Sequence, residues 1–289
     1  MDRDRRRHFG QNFLRNDAVI RAIVRDVPIA PDERVLEIGP GHGALTKELL
    51  ATRARVTAVE VDPDCVSYLR IRKARGDLPG HLRIERSDFL KYDTDAYLDE
   101  EPDSRPWIVG NLPYNCATPI LTSLLPRLPR VKGVMAMVQL EVAKRLCAEP
   151  GGKDFGYLSV LLQGVGKARI LRRIEPANFK PVPKVMSATV LIEERENPLP
   201  AGRDFYAFAT LCFAQKRKML YNALEAAYDR NAVRAALAAI GADEKVRAEA
   251  LSADRLFELY GILGLPSGVT LGGKATPRDG REGSPERTA

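Results

Sequence analysis

Val35-Leu36-Glu37-Ile38-Gly39-Pro40-Gly41-His42-Gly43, followed by Ala44-Leu45-Thr46-Lys47-Glu48-Leu49-Leu50, decides the fold. An apolar run of strand length breaks into alternating glycines and resumes with apolar residues at helical spacing. The stretch therefore reads as strand, glycine loop and helix. Glycines such as Gly39 and Gly41 let a backbone come close to a ligand, and a helix start offers it unpaired N–H groups. About twenty residues on, a second strand, Val56-Thr57-Ala58-Val59, ends in Glu60-Val61-Asp62, placing a carboxylate where it accepts both hydroxyls of a bound ribose. A nicotinamide-binding protein has nearly the same arrangement, and two details weigh against it. The spacing is G-x-G-x-G in place of G-x-G-x-x-G, and Glu37 precedes the first glycine, where it opposes a pyrophosphate but suits the amino acid end of S-adenosylmethionine. A third strand, Leu82-Arg83-Ile84-Glu85, runs into Arg86-Ser87-Asp88-Phe89, and Asp88 can accept the adenine amine of such a cofactor.

A fourth apolar run, Trp107-Ile108-Val109, ends at Asn111-Leu112-Pro113-Tyr114. Taken alone, the four residues describe a strand end, a proline turn and a packed tyrosine equally well. Behind the three preceding strand ends they gain a chemical meaning. The exocyclic amine of adenine is a poor nucleophile because its lone pair is delocalised into the ring, so an enzyme must hold it as it becomes tetrahedral. An Asn111 amide oxygen and the Leu112 carbonyl, extended ahead of Pro113, form a pair of acceptors for that purpose. Tyr114 supplies a ring on which an extruded base can stack. Methyl transfer from a sulfonium needs no general base, since alignment and exclusion of water lower most of the barrier. A smaller Leu in the tetrapeptide, where many DNA adenine enzymes carry a second proline, is compatible with a pocket that admits an already methylated amine.

His8-Phe9-Gly10-Gln11-Asn12-Phe13-Leu14, the glycine loop, Glu60, Ser87-Asp88, Asn111 to Asn115 and Phe179-Lys180-Pro181-Val182-Pro183-Lys184-Val185 resemble the successive motifs of the ribosomal RNA adenine N6,N6-dimethyltransferases. The resemblance runs from about Arg7 to about Leu263, nearly the whole chain. It implies that Asn12, Leu14, Gly39, Glu60, Asp88 and Asn111 contact S-adenosylmethionine, and that Asn111, Leu112, Pro113 and Tyr114 hold the target adenine with Phe179 as a second stacking ring. The stretch Phe213 to Lys218 with Asn222-Ala223-Leu224, then Arg247-Ala248-Glu249 and Leu251-Ser252, looks more like the small-subunit (kasugamycin-sensitivity) branch than the macrolide-resistance branch acting on large-subunit RNA. For the small-subunit branch the implied substrate is two adjacent adenosines in the hairpin loop near the 3' end of 16S ribosomal RNA, within an immature subunit. Two positions depart from the family pattern: His42, where Leu or another residue is common, and Cys116, where Ile is usual.

The chain has 289 residues and a net charge of +7, with a pI near 9.3, which favours polyanionic partners. Distribution says more than the total. Lys167, Arg169, Arg172, Arg173, Lys180 and Lys184 stand against the single acid Glu175 and flank Phe179, so phosphate contacts are expected there. Lys216-Arg217-Lys218 forms another cluster that can grip RNA or face water, while Arg3, Arg5, Arg6 and Arg7 read as a solvated run. Cys65, Cys116, Cys147 and Cys212 are scattered and only His8, His42 and His81 could join them, so no metal site is expected. Cys116 beside the tetrapeptide reads as a small residue packed beneath the loop, because sulfonium chemistry needs no covalent intermediate. No secretory or membrane-length apolar segment is found, and a cytoplasmic protein with reduced thiols, acting as a monomer, is expected.

Alternating strand and helix patterns at Val35, Val56, Leu82, Ile108 and Val134 to Val138, preceded by an amphipathic helix from Asp17 to Val27, specify a parallel sheet covered on both faces. Strands at Ala168 to Ile174 and Ser187 to Ile192, joined by the Pro-rich loop of Phe179, look like the antiparallel hairpin that closes class I methyltransferases. The expected architecture is therefore α/β: a Rossmann-like, doubly wound sheet over residues 1–196, then a small all-helical C-terminal domain over 203–264 beyond the break Asn197-Pro198-Leu199-Pro200-Ala201-Gly202. Its helices are expected at Phe205 to Cys212, Met219 to Tyr228, Ala232 to Ile240 and Leu256 to Leu263. Residues 265–289, rich in Gly, Pro, Thr and charge, read as a disordered tail. Three other readings stay open: the large-subunit methylase, a non-catalytic RNA-binding assembly factor of the same fold, and a nicotinamide enzyme.

Overall fold

The computed structural model describes residues 12–215 and 218–266. Five strands, β2 (Arg34–Ile38), β3 (Arg55–Glu60), β4 (Leu82–Arg86), β5 (Trp107–Asn111) and β6 (Gly133–Gln139), pair in parallel; β7 (Gly166–Ile174) and β9 (Ser187–Glu194) complete the sheet in antiparallel sense. The strand order is β4-β3-β2-β5-β6-β9-β7. Chain direction of the windings reverses between β2 and β5, so a crevice opens at the carboxyl ends of these two strands. A separate two-stranded ribbon joins β1 (Phe13–Leu14) to β8 (Phe179–Lys180).

Period-two alternation sorts the strand residues between two cores. Leu36, Ile38, Ile108, Val134, Ala136 and Val138 face one layer of helices, while Val35, Val56, Ala58, Val109, Met135 and Met137 face the other. Central strands are consequently buried along their full length, as β2 is from Arg34 to Ile38, which is why they read as unbroken apolar runs. Arg34, at the start of β2, and Glu37, a carboxylate on the face shared with Val35, are charged exceptions there. At the sheet's open edge, β7 exposes Lys167, Arg169, Arg172 and Arg173. A bulge between Ile170 and Arg172 adds one residue to the strand there.

The amphipathic helix Asp17–Arg25 is capped by Asn16, whose Oδ1 accepts from the Ala18 and Val19 amides. Beyond Glu194 the chain lies across the helix Tyr157–Val165, with the Leu199 amide donating to the Gly164 carbonyl. Helices Arg203–Phe213, Leu220–Leu224, Arg230–Ala239 and Ala253–Leu263 follow. The second is shorter than the expected Met219 to Tyr228. Asp229 must stay extended so that its carboxylate can cap the next helix through the Asn231 and Ala232 amides, and the chain approaches it through tighter turns at Leu224. These helices bury Phe205, Phe208, Leu220, Leu237, Leu256 and Leu259 together with Phe155 and Val160 from the sheet-bearing part. Residues 267–289, Lys216, Arg217 and the Arg-rich start lie outside the described residues. No helix among the described residues is long and apolar enough to cross a membrane.

Candidate active site

A cavity of about 240 Å³ opens at the crevice between β2 and β5. The structure brings Asn12, Leu14, Gly39, Gly41, Glu60, Asp88, Asn111, Leu112, Pro113 and Tyr114 to its walls. All are residues that the sequence nominates, and all but Asn12, which precedes β1, come from a strand end or the loop just after it. Gly39 and Gly41 have φ of 64° and 56°, a left-handed backbone that side chains resist. At Gly41 a Cβ would also meet the Phe13 ring at 2.8 Å. That packing gives the glycine a second reason.

Carboxylates define the cavity's electrostatics. Glu60, 3 % exposed, accepts the Gly41 amide at 2.9 Å on Oε2 and the Asp62 amide at 2.9 Å on Oε1. Its orientation is thereby fixed while one further lone pair on each oxygen remains for a ribose. Burial raises its pKa in spite of those amides, and the Asp62 charge adds to the rise. Asp88 caps the short turn after β4 through Oδ1 and the Leu90 amide. Glu37, at the floor, is buried with neither carboxylate oxygen hydrogen-bonded. Burial pushes its pKa up to about 8; the negative charge of Glu60 adds to this, and the Thr46 side chain and amide oppose it. A buried acid beside a second carboxylate, Glu60, fits a cavity built for a cationic ligand such as S-adenosylmethionine, whose ammonium and sulfonium would supply a countercharge.

The tetrapeptide is held from three sides. Asn111 donates from Nδ2 to the Asn12 carbonyl at 2.9 Å. Leu112, 1 % exposed, donates its amide to the Met137 carbonyl at 3.0 Å. The Tyr114 and Ser187 hydroxyls share a hydrogen bond of 2.6 Å, which pins a half-buried ring at the cavity wall. Burial raises the Tyr114 pKa and Ser187 opposes the rise. Cys116 is half-buried with Sγ 3.6 Å from the Pro113 carbonyl. Burial, helped by the charge of Asp88, pushes its thiol pKa up, as suits a packed residue.

Phe179 does not join them. It is 3 % exposed, sits in β8 opposite Leu14, and belongs to the buried cluster that includes Ile174 and Leu191. A strand pairing with β1 turns its ring into the core, so the expectation of a second stacking ring at the cavity is corrected. Arg172 is exposed, and its guanidinium pairs with Asp26 through Nε and, at 2.7 Å, through Nη2. Arg173, Lys180, Lys184 and Lys218 are exposed, and Lys180 stands opposite Phe13 at the cavity rim. Ser187, Phe13 and the ring of His42 complete the site without having been nominated. Ser187 carries no local signal, since its partner lies 73 residues away.

Comparison with known proteins agrees with this geometry. Residues 3–264 match the model of the ribosomal RNA adenine dimethylase family. Ribosomal RNA small subunit methyltransferase A of Methylococcus capsulatus is 41% identical over 249 residues, covering 86% of this chain and 93% of its own. The protein of the same name from Synechococcus elongatus is 36% identical over 271 residues, 91% and 96% of the two chains. Among solved structures, the 23S rRNA methyltransferase ErmE aligns with a TM-score of 0.64 at 28% identity, covering 87% of this chain and 99% of its own. A dimethyladenosine transferase from Plasmodium falciparum aligns with a TM-score of 0.73 at 22% identity, covering 88% and 99%, a likeness of fold. The chain belongs to the ribosomal RNA adenine dimethylase family.

Proposed function

We propose that the protein transfers methyl groups from S-adenosylmethionine to N6 of adenosine in small-subunit ribosomal RNA, placing two on each of two adjacent adenosines in the 3'-terminal hairpin loop. The observation that carries the reading is the convergence of Glu60, Asp88 and Asn111 from three strand ends on one cavity, with small-subunit methyltransferases as relatives at 36–41% identity. S-adenosylmethionine, when bound, supplies an activated methyl group. The chain's residues do the rest. Glu60 takes the ribose hydroxyls, Asp88 the cofactor's adenine amine, and Glu37 answers the charge of the amino acid end. Asn111 Oδ1 and the Leu112 carbonyl accept from the target amine, turning its lone pair toward the methyl group, while Tyr114 stacks on the extruded base. The proton leaves to solvent from the methylated nitrogen. Lys180 and Lys184, flanking a Val182 that is 65% exposed, hold phosphates beside the cavity rim. A single copy acting on an immature subunit suits this arrangement, because a paired stem would keep the adenines out of reach.

The test is methyl transfer from labelled S-adenosylmethionine to separated, undermethylated small and large subunits, with the product nucleoside and its position identified by mass spectrometry. Dimethyladenosine in the 3' loop of small-subunit RNA is expected, and Asn111→Ala should abolish turnover while leaving RNA affinity largely intact. Label confined to the large subunit would move the protein to the other branch. No label in either, with cofactor bound, would make it an assembly factor.

A further inference from the structure

The bond between Asn111 Nδ2 and the Asn12 carbonyl decides which way the catalytic amide faces. A main-chain carbonyl only accepts, so the amide nitrogen must lie toward Asn12 and the oxygen away from it. Asn12 belongs to a short strap, residues 12–15, that forms one wall of the cavity. On one flank the strap is held by stacking: the Phe13 and His42 rings lie 4.2 Å apart and 5° from parallel. Behind His42 stands Tyr68 at 5.1 Å, and the His42 carbonyl receives Arg72 Nη1 at 2.9 Å. On the other flank β1 pairs with β8, the Arg15 amide donates to the Asn178 carbonyl at 2.9 Å, and Asn16 Nδ2 donates to Asn178 Oδ1 at 2.9 Å.

We propose that Phe13 and His42 are positioning residues for methyl transfer: their stack keeps the strap on the glycine loop, so the Asn12 carbonyl holds the Asn111 amide with its oxygen presented to the incoming amine. The proposal rests on the reading of Asn111 as an acceptor for the target N6. An amide released from Asn12 can turn its NH2 toward the substrate, where donor would face donor and the amine would have no acceptor. Fixing the amide before the base arrives removes that reorganisation from the reaction.

The full chain carrying His42→Ala, His42→Phe or Asn178→Ala tests this, with single-turnover rates measured at saturating S-adenosylmethionine on undermethylated small subunits. His42→Ala should slow the step by about tenfold to a hundredfold, with melting temperature and RNA affinity unchanged. His42→Phe, which restores a stacking ring, should recover most of the rate, and Asn178→Ala, acting from the other flank, should lower it. In 15N spectra the Asn111 side-chain NH2, identified by its loss in Asn111→Ala, should exchange slowly with solvent in the parent and His42→Phe and quickly in His42→Ala. Unchanged rate at saturating cofactor with only a raised cofactor KM, or unchanged NH2 exchange, overturns the proposal. Asn111→Ala separates the two failures: if it is inactive while His42→Ala keeps its full rate, the strap proposal alone falls. An active Asn111→Ala removes the acceptor role and the proposal with it.

Discussion

Glu37 shows how one buried side chain ties stability to ligand charge. Its proton leaves the unfolded chain near the ordinary glutamate value of 4.5 and is held in the folded protein to about 8. The raised value means its contribution to stability is complete below pH 4.5 and is lost as the pH climbs through about 8. Thermal melts of Glu37→Gln against the parent should therefore show a flatter profile across that window. Cofactor affinity should rise with pH near 8 in the parent and lose that rise in the variant; equal slopes in both would rule out Glu37 as the titrating group. Gly110 gives a second residue-scale prediction. A Cβ there would meet the Ile38 carbonyl at 2.8 Å and the Leu112 side chain at 3.1 Å, and neighbouring backbone cannot yield as a flexible side chain can. Gly110→Ala should cost about 1–3 kcal/mol by chemical denaturation and lower activity by shifting Asn111. Glu60, Asp88 and Asn111 were legible in the sequence because each ends or closely follows a strand pattern, and strand ends in an open α/β sheet face the ligand crevice. The Asn12–Asn111 and Tyr114–Ser187 contacts were not, since they join residues 99 and 73 positions apart and depend on the register of a finished sheet.

At the scale of elements, caps and turns fix where chain segments stop. Asp229→Ala should lower stability by about 1 kcal/mol through loss of the cap on the helix Arg230–Ala239, read as a shift in the denaturation midpoint without loss of methyl transfer. The sequence pattern placed the sheet strands well because both of its faces are apolar and the connecting stretches break the pattern. It misjudged the extent of the helix near Leu220, where apolar spacing continues to Tyr228 but the backbone must straighten for Asp229. It also misplaced Phe179: a Pro-rich loop has no period from which a face can be read, and only pairing with β1 shows that the ring turns inward. The β1–β8 ribbon is two residues wide, yet it binds the start of the described chain to the loop that follows β7.

Across the whole molecule, charge and core divide the labour. Lys180→Glu with Lys184→Glu should weaken RNA binding for all sequences and lower the steepness of its salt dependence by about two, whereas Arg172→Ala, whose charge already answers Asp26, should change both little. A binding titration over a range of salt concentrations separates these outcomes, and equal effects would contradict the assignment. The composition announced a polyanionic partner, but only the folded edge of the sheet distinguishes cations held by a carboxylate from cations left to meet phosphate. That edge has one more consequence. The outermost strand of an open sheet carries unpaired amides and carbonyls on which another chain's strand can zip itself, the route by which many sheet proteins clump during synthesis. A row of outward lysine and arginine side chains on β7, kinked by its bulge, makes a copy of itself a poor partner for such growth.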